Sequence, residues 1–404
     1  MRKYLTIFAV VCLCTTVKSQ SFEGTKIGNG IRFTAPDSSF SVQSNIRFQT
    51  QYAGVRNQES HEYTDQFTIR RFRLKFKGYL VDPKIGYKIE LALSNRDQGD
   101  FYAENGGAAS IVLDAVLKWK FAPGWQLWVG QTKLPGNRER VISSGQLQLV
   151  DRSRLNSRFT IDRDKGLWLH HEHNLGGSLV LREIVSVTSG EGRNVTVSNE
   201  SGYDYTGRIE ILPFGKFTKK GDYFGGDLMR EPRPKLAIGV TYDHNIGTNR
   251  ERGQLGRFIF NPDGSGERSD LSTIFADAMF KYKGFTAMYE YANKKVADGD
   301  IYGLDTSGNI RYFYTGEAHN IQTGYLFKSN WSIDARFTDI QPSAIAHPED
   351  PSITHVDDPE RRYQVGWSKY IGGHNLKLQG SVAYRDRLTK DDETIYLLQL
   401  EIGF

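Results

Sequence analysis

Between residues 70 and 77 the sequence places a cation at every second position. Arg71, Arg73, Lys75 and Lys77 alternate with Phe72, Leu74 and Phe76. Successive side chains of an extended chain point to opposite faces, and residues two apart are separated by about 6.8 Å. The four cations would therefore form a ladder on one face, a row of successive weak sites for an anion. Such a row needs carboxylates across the sheet or an anion in place to offset its repulsion. Arg47 on the preceding segment and Lys88 with Glu90 on the following one could share that network. Two readings stay open: a surface that selects anions, and a solvated face balanced by acids.

A second cationic set lies in the long segment 136–163, which carries Arg138, Arg140, Arg152, Arg154, Arg158 and Arg163 against Glu139, Asp151 and Asp162. The planar guanidinium binds oxyanions through two parallel hydrogen bonds and keeps its charge. Crowded arginines and aspartates also pair with each other, which would pin the segment to its surroundings instead. A third set, His170, His171 and His173 beside Glu172, offers only His171 and His173 on one strand face. With no third ligand locatable, these are read as polar lumen or edge residues, and no metal is expected. Asn261–Glu267 lacks calcium-loop spacing, Asn194-Val195-Thr196 is a short sequon, and no nucleotide loop, nucleophile elbow or zinc signature occurs. No enzyme activity and no cofactor is expected.

These residues need a scaffold, and composition narrows it. The 404 residues include 41 Gly, 23 Phe, 21 Tyr and 6 Trp but only 12 Pro and 4 Met, a composition suited to aromatic strands and turns. Beyond residue 20 no run reaches the 18 apolar residues of a membrane-spanning helix. At the amino terminus Arg2 and Lys3 precede the apolar run Leu5–Leu13, and Val17-Lys18-Ser19 forms a small-residue cleavage site, so residues 1–19 read as a secretory signal. Both cysteines, Cys12 and Cys14, lie within it, which leaves the exported chain without thiols or disulfides. Removing Arg2, Lys3 and Lys18 lowers the formal charge from +5 to +2. That balance gives no warrant for a nucleic-acid partner.

Period-two alternation runs through the chain. Phe40, Val42, Ile46, Phe48 and Tyr52 oppose Ser41, Gln43, Asn45, Arg47, Gln49 and Gln51. Ile85, Tyr87, Ile89, Leu91 and Leu93 oppose Gly86, Lys88, Glu90, Ala92 and Ser94, and Leu376, Leu378, Val382 and Tyr384 oppose Asn375, Lys377, Gln379 and Ser381. A soluble sandwich would alternate too. The distinguishing feature is the aromatics at strand ends, Trp119, Phe121, Trp125, Trp128, Tyr289, Tyr291, Trp331, Trp367 and Tyr370, which fit two interfacial girdles around a lipid-facing band. The chain ends in a strand with Tyr396, Leu398, Leu400, Ile402 and the terminal Phe404 on one face.

Counting segments gives roughly sixteen strands, centred near 46, 73, 89, 116, 129, 169, 182, 207, 239, 277, 289, 321, 335, 365, 379 and 399, an even number suited to a closed up-and-down barrel. Short turns alternate with long polar segments at 54–65, 97–109, 136–163, 189–200, 245–270, 295–313 and 342–358. Residues 213–233 break the rule: they occupy a short-turn position but are too long, so either the turn is elaborated or the count slips there. The expected organisation is a signal at 1–19, a periplasmic lead-in at 20–38 and an all-β transmembrane barrel at 39–404, in which the place of 136–163 after the fifth strand resembles the inward-folded constriction loop of porins.

Specific residues then resemble the phosphate-selective porin O and P family, in the form common in Bacteroidetes. They are Phe33 to Gln49 with Asp37, Phe40 and Arg47-Phe48-Gln49; Ile69-Arg70-Arg71-Phe72-Arg73-Leu74; Gly130-Gln131-Thr132-Lys133-Leu134-Pro135; Ser143-Ser144; Val150-Asp151-Arg152-Ser153-Arg154-Leu155-Asn156; and Asp162-Arg163-Asp164-Lys165-Gly166. The similarity is concentrated between residues 30 and 180. It implies a sixteen-stranded, trimeric channel in the bacterial outer membrane, and a terminal phenylalanine, Phe404, resembles the signal read by the outer-membrane assembly machinery. Expected partners are outer-membrane lipid and small anions such as phosphate, with Arg47, Arg71, Arg73, Lys75, Lys77 and Lys88 lining the pore and Arg138, Arg140, Arg152, Arg154, Arg158 and Arg163 narrowing it. The resemblance does not establish phosphate as the solute, nor trimer over monomer. The competing expectation is a non-conducting barrel, a structural subunit of an outer-membrane assembly, whose segment 136–163 plugs the lumen.

Overall fold

The computed structural model describes residues 27–98, 107, 109–196, 202–297, 302–346 and 354–404. The signal at 1–19 lies outside them.

After a short strand β1 (Ile31–Thr34), sixteen long strands follow: β2 (Phe40–Asn57), β3 (Tyr63–Leu80), β4 (Asp82–Ala92), β5 (Val112–Ala122), β6 (Trp125–Lys133), β7 (Arg163–Gly176), β8 (Leu179–Thr188), β9 (Asp204–Leu212), β10 (Lys235–Thr248), β11 (Ser269–Tyr282), β12 (Phe285–Val296), β15 (Gly316–Leu326), β16 (Trp331–Pro342), β19 (Glu360–Tyr370), β20 (Leu376–Arg387) and β21 (Glu393–Gly403). The loops carry two small hairpins, β13 (Tyr302–Leu304) with β14 (Ile310–Tyr312) and β17 (Ala344–Ala346) with β18 (Thr354–Val356). Every expected strand centre falls inside one of the sixteen.

The sixteen strands pair antiparallel in chain order, and β21 pairs with β2 from Arg47↔Gly403 to Asn57↔Glu393, which closes the sheet. Closure removes the unpaired edge that a free sheet would expose. Phe404 completes the seam: Ile46 N donates to its carbonyl at 2.7 Å, and its own N–H donates to Ile46 O at 2.9 Å. Outward positions carry exposed apolar side chains, among them Leu117, Val129, Leu167, Ile209, Val240, Ile321, Val365 and Leu398. Inward positions carry the charged and amide groups. A barrel with apolar residues outside and polar residues inside is a transmembrane one.

Two expectations need correction, and one open alternative is decided. The segment 54–65 is mostly strand, because β2 and β3 run 18 residues each and leave only 58–62 between them; both faces turn polar there, which hid the strand from a period-two reading. Trp128 and Tyr370 are not girdle residues. Trp128 is paired with Lys118 and Trp168 on the inner face, and Tyr370 is buried beside His374. The strand count does not slip at 213–233: the turn between β9 and β10 is elaborated, with a 3-10 segment at Thr218–Tyr223. At the other short turns two residues often suffice, as at Lys283-Gly284, where both take positive φ, 48° and 94°, the geometry that matches strand twist in a tight hairpin.

Candidate functional site

The long segment between β6 and β7 folds into the barrel. It contains two short helices, α1 (Arg138–Val141) and α2 (Arg154–Phe159). Apolar packing holds it. Leu155, Phe159 and Ile161 bury against inward Trp168, Phe275, Ala292, Ala318 and Ile340, and Ile142 with Leu147 packs on Met279 and Met288. Ser153 joins the helices: its Oγ accepts from Asn156 N at 3.1 Å, capping α2, and donates to Glu139 Oε2 at 2.5 Å.

Ion pairs then tie the segment to walls as far as 206 residues away in sequence. Arg138 is fully buried between Glu210 (3.0 Å) and Asp277 (2.9 Å). Glu139 meets Arg336 at 2.6 Å. Arg154 reaches Glu360 with its Nη2 3.2 Å from Oε2, and Arg158 pairs with Asp357 while stacking on Tyr314. Arg163 bonds Asp114 at 3.2 Å, and Arg140 pairs with Asp162. Burial would raise the Asp151 carboxyl, but the guanidinium groups of Arg70 and Arg71 outweigh it and hold the group below the usual carboxylate range. Most of the arginines singled out in this segment therefore pin it.

Arg152 differs. Its Nε and Nη2 donate to the carbonyls of Glu139 and Ile142, both at 2.7 Å, and no ion pair forms among the described residues. Burial pulls its guanidinium down to about 10, opposed by Glu139 and reinforced by Arg73 and Arg163. Burial together with Arg163, Arg152 and Arg73 pushes Arg140 well below its ordinary value. Positive charge is thus crowded where the segment passes the β3–β7 wall. Arg193, in the loop after β8, joins that crowd and is also pulled to about 10, first by burial and then by Arg163.

The ladder on β3 divides. Arg71 bonds Gln49 at 2.9 Å and Asp151 at 3.2 Å. Arg73 bonds Glu90 at 3.0 Å and Asp97 at 2.7 Å. Arg47 donates to Ser144 Oγ at 2.8 Å and lies 4.0 Å from Glu401. Lys88 sits between Glu90 and Asp114, each at 2.8 Å. Lys75 and Lys77, lower on the wall, make no ion pair among the described residues and remain partly or largely exposed. Lys118, on the same face of β5, is held over the Trp128 ring at 3.5 Å with no carboxylate partner among the described residues. This lysine was not singled out from sequence, although Leu117, Trp119 and Phe121 alternate with Val116, Lys118 and Lys120 and mark its face.

A second segment enters from the opposite end. The turn 213–234 packs Phe217 on Val180, Leu212 and Ala237 and engages Arg182 through Asp222. It meets the first segment directly, with Gly225 N donating to Gln146 O at 2.6 Å and Gly226 N to Gln148 Oε1 at 3.3 Å. Lys281 fixes it through the carbonyls of Gly221 (2.8 Å) and Gly226 (2.5 Å). The lumen is narrowed from both ends. Among the described residues neither segment forms a hydrogen bond or ion pair with Lys75, Lys77 or Lys118 on the inward face of β3 and β5. Arg208 was also missed from sequence; it bonds Asp277, Glu210 and the Gly136 carbonyl. Only the fold could bring those groups together.

Of the lumen and edge readings of the histidine motif, the inward His170 against Trp128 fits the first, whereas His171 and His173 face outward near the short β7–β8 turn. Glu183, directly across from His171 on β8, is the third group that sequence could not locate.

Residues 42–217 match the family described as phosphate-selective porin O and P. An uncharacterized protein of Aquifex aeolicus (strain VF5) is 23% identical over 378 residues, covering 86% of this chain and 83% of its own length. Among solved structures, a loop L8 deletion mutant of OmpT, an outer-membrane protein of Vibrio cholerae, superposes with a TM-score of 0.55 at 10% identity, covering 91% of this chain and all of that one. An anion-selective porin from Comamonas acidovorans gives 0.53 at 9% identity, over 90% of this chain and all of that one. The matched family and the anion-selective porin are channels, not enzymes. Over residues 42–217 the chain matches the phosphate-selective porin family, and over about nine-tenths of its length it has the fold of bacterial outer-membrane porins.

Proposed function

We propose that the protein is an outer-membrane porin that passes small hydrophilic solutes with a preference for anions. The observation that carries this reading is the division of the cations. Arg71, Arg73, Lys88 and most of the loop arginines are neutralised by carboxylates, whereas Lys75, Lys77 and Lys118 lie on one inward face with no ion pair among the described residues. A low-dielectric channel lined by unpaired lysines lowers the cost of an anion and raises that of a cation. Arg152, crowded by Arg73 and Arg163, lies at the narrow part in this reading, where a passing oxyanion would relieve mutual repulsion. Phosphate is the oxyanion that the matched family suggests.

In this reading residues 1–19 are the export signal and 20–38 the periplasmic lead-in. The short turns face the periplasm, Phe404 is read by the assembly machinery, and the barrel works as a homotrimer in outer-membrane lipid. The test is single-channel recording in chloride followed by addition of phosphate or sulfate. Reproducible conductance that these oxyanions reduce by competing for the narrow part supports the reading.

A second reading, a non-conducting structural subunit, draws on the contact between the two inward segments at Gly225–Gln146. Silence of correctly folded protein in the same recording would favour it.

A further inference from the structure

Two histidines and a glutamate stand on the outer wall of the barrel, away from the lumen. His171 and His173 are two apart on β7 and share its outward face, and Glu183 lies directly across from His171 on β8. The His171 Nδ1 is 2.7 Å from Glu183 Oε2, the His173 Nδ1 is 3.9 Å from the same oxygen, and the donor atoms of all three lie within 4.8 Å of one another. Tetrahedral zinc with bonds of about 2.0–2.1 Å requires donor separations of about 3.3 Å, which side-chain rotation within this cluster can reach.

One further observation points the cluster toward a ligand. The Nδ1 of His173 is buried and has no hydrogen-bond partner, although it is aimed at the shared carboxylate. The rings are also held in a stack: Trp125 lies on His171 with centroids 3.9 Å apart, and His171 lies on His173 at 4.5 Å. Coordination would turn the two rings out of this stack until one ion lies in both imidazole planes. The setting is unusual for a carboxylate. Glu183 shares the outward surface with exposed Leu167, Leu175 and Val185, where an uncompensated charge is disfavoured.

We propose that His171, His173 and Glu183 form a binding site for a borderline divalent transition metal of the Zn2+ class, at the level of the Trp125 girdle near the short-turn rim. Two imidazoles and one carboxylate suit zinc, whereas Ca2+ and Mg2+ demand more oxygen ligands. The metal clips β7 to β8 and neutralises Glu183, leaving one outward coordination position for water. The site is independent of whether the lumen conducts.

The test uses full-length mature protein in detergent, without a histidine tag and stripped by chelator. Zn2+ titration by calorimetry is expected to give one ion per chain, with affinity weakened at least about tenfold in His171→Ala, His173→Ala and Glu183→Gln, and unchanged in His61→Ala, which alters an exposed histidine of the 58–62 turn between β2 and β3. Heat-modifiable gel mobility shows whether each variant is folded. If a variant fails to fold, zinc-edge absorption of the unaltered protein decides, and a shell with two imidazoles is expected. No saturable binding, binding unchanged in all three variants, or a shell without imidazole overturns the proposal. A hydrogen-bonded His171–Glu183 pair alone gives that last set of results.

Discussion

Lys75 and Asp151 show how residues of one wall come to different ends. Both belong to the network around β3, yet Asp151 is engaged by Arg70 and Arg71 while Lys75 has no acid partner among the described residues. Asp151→Asn would leave Arg71 buried with its charge uncompensated. The expected outcome is a stronger anion preference with a loosened loop, read as a higher anion-to-cation permeability ratio; a ratio unchanged from the parent would contradict the assignment. The pH dependence follows from the sign of the Asp151 shift. Its carboxyl is held below the ordinary value, so the docking it provides is present at neutral pH and is lost only as pH falls below about 4, the ordinary aspartate range. Tryptophan or hydrogen-exchange probes of residues 143–152 should show constant protection from pH 7 down to that range. Loss of protection already between pH 7 and 5 would rule the pair out as the anchor.

The two inward segments are the elements that decide pore size. In the first, Phe159 is fully enclosed by Phe275, Ala318, Ile340 and neighbours. Phe159→Ala should destabilise docking by about 3–5 kcal/mol, seen as noisier conductance and protease cleavage within 143–160 while the barrel stays intact. Equal protease resistance would show that the ion pairs alone hold the segment. In the second, replacing 216–232 by a two-residue Gly-containing turn removes the partner of Gln146 and Gln148. Unit conductance should rise, and an unchanged value would mean that this turn does not narrow the path.

At the scale of the whole molecule, the barrel was legible because a closed sheet between lipid and water imposes period two on every strand. Each of the sixteen expected centres lies within an observed strand, and the closing register of β21 on β2 follows from the terminal alternation through Phe404. The interior was much less legible. Arg138 reaches Glu210 and Asp277, and Glu139 reaches Arg336, across separations that no local pattern encodes. Whether a cation is spent on a carboxylate or left free depends on those contacts, which is why the Arg71–Lys77 row read as uniform in sequence and proves divided in three dimensions. Lys118 could have been found from its alternating neighbours. The metal-ligand geometry of Glu183 with His171 could not, because it depends on strand register.

The central claim is that the lysine wall sets charge preference. Its most direct test is the reversal potential across a bilayer under a salt gradient, compared between the parent and the combined Lys75→Gln, Lys77→Gln, Lys118→Gln variant. An anion-side potential that moves toward cation preference in the variant is the predicted result, and a potential that stays where it was contradicts the account.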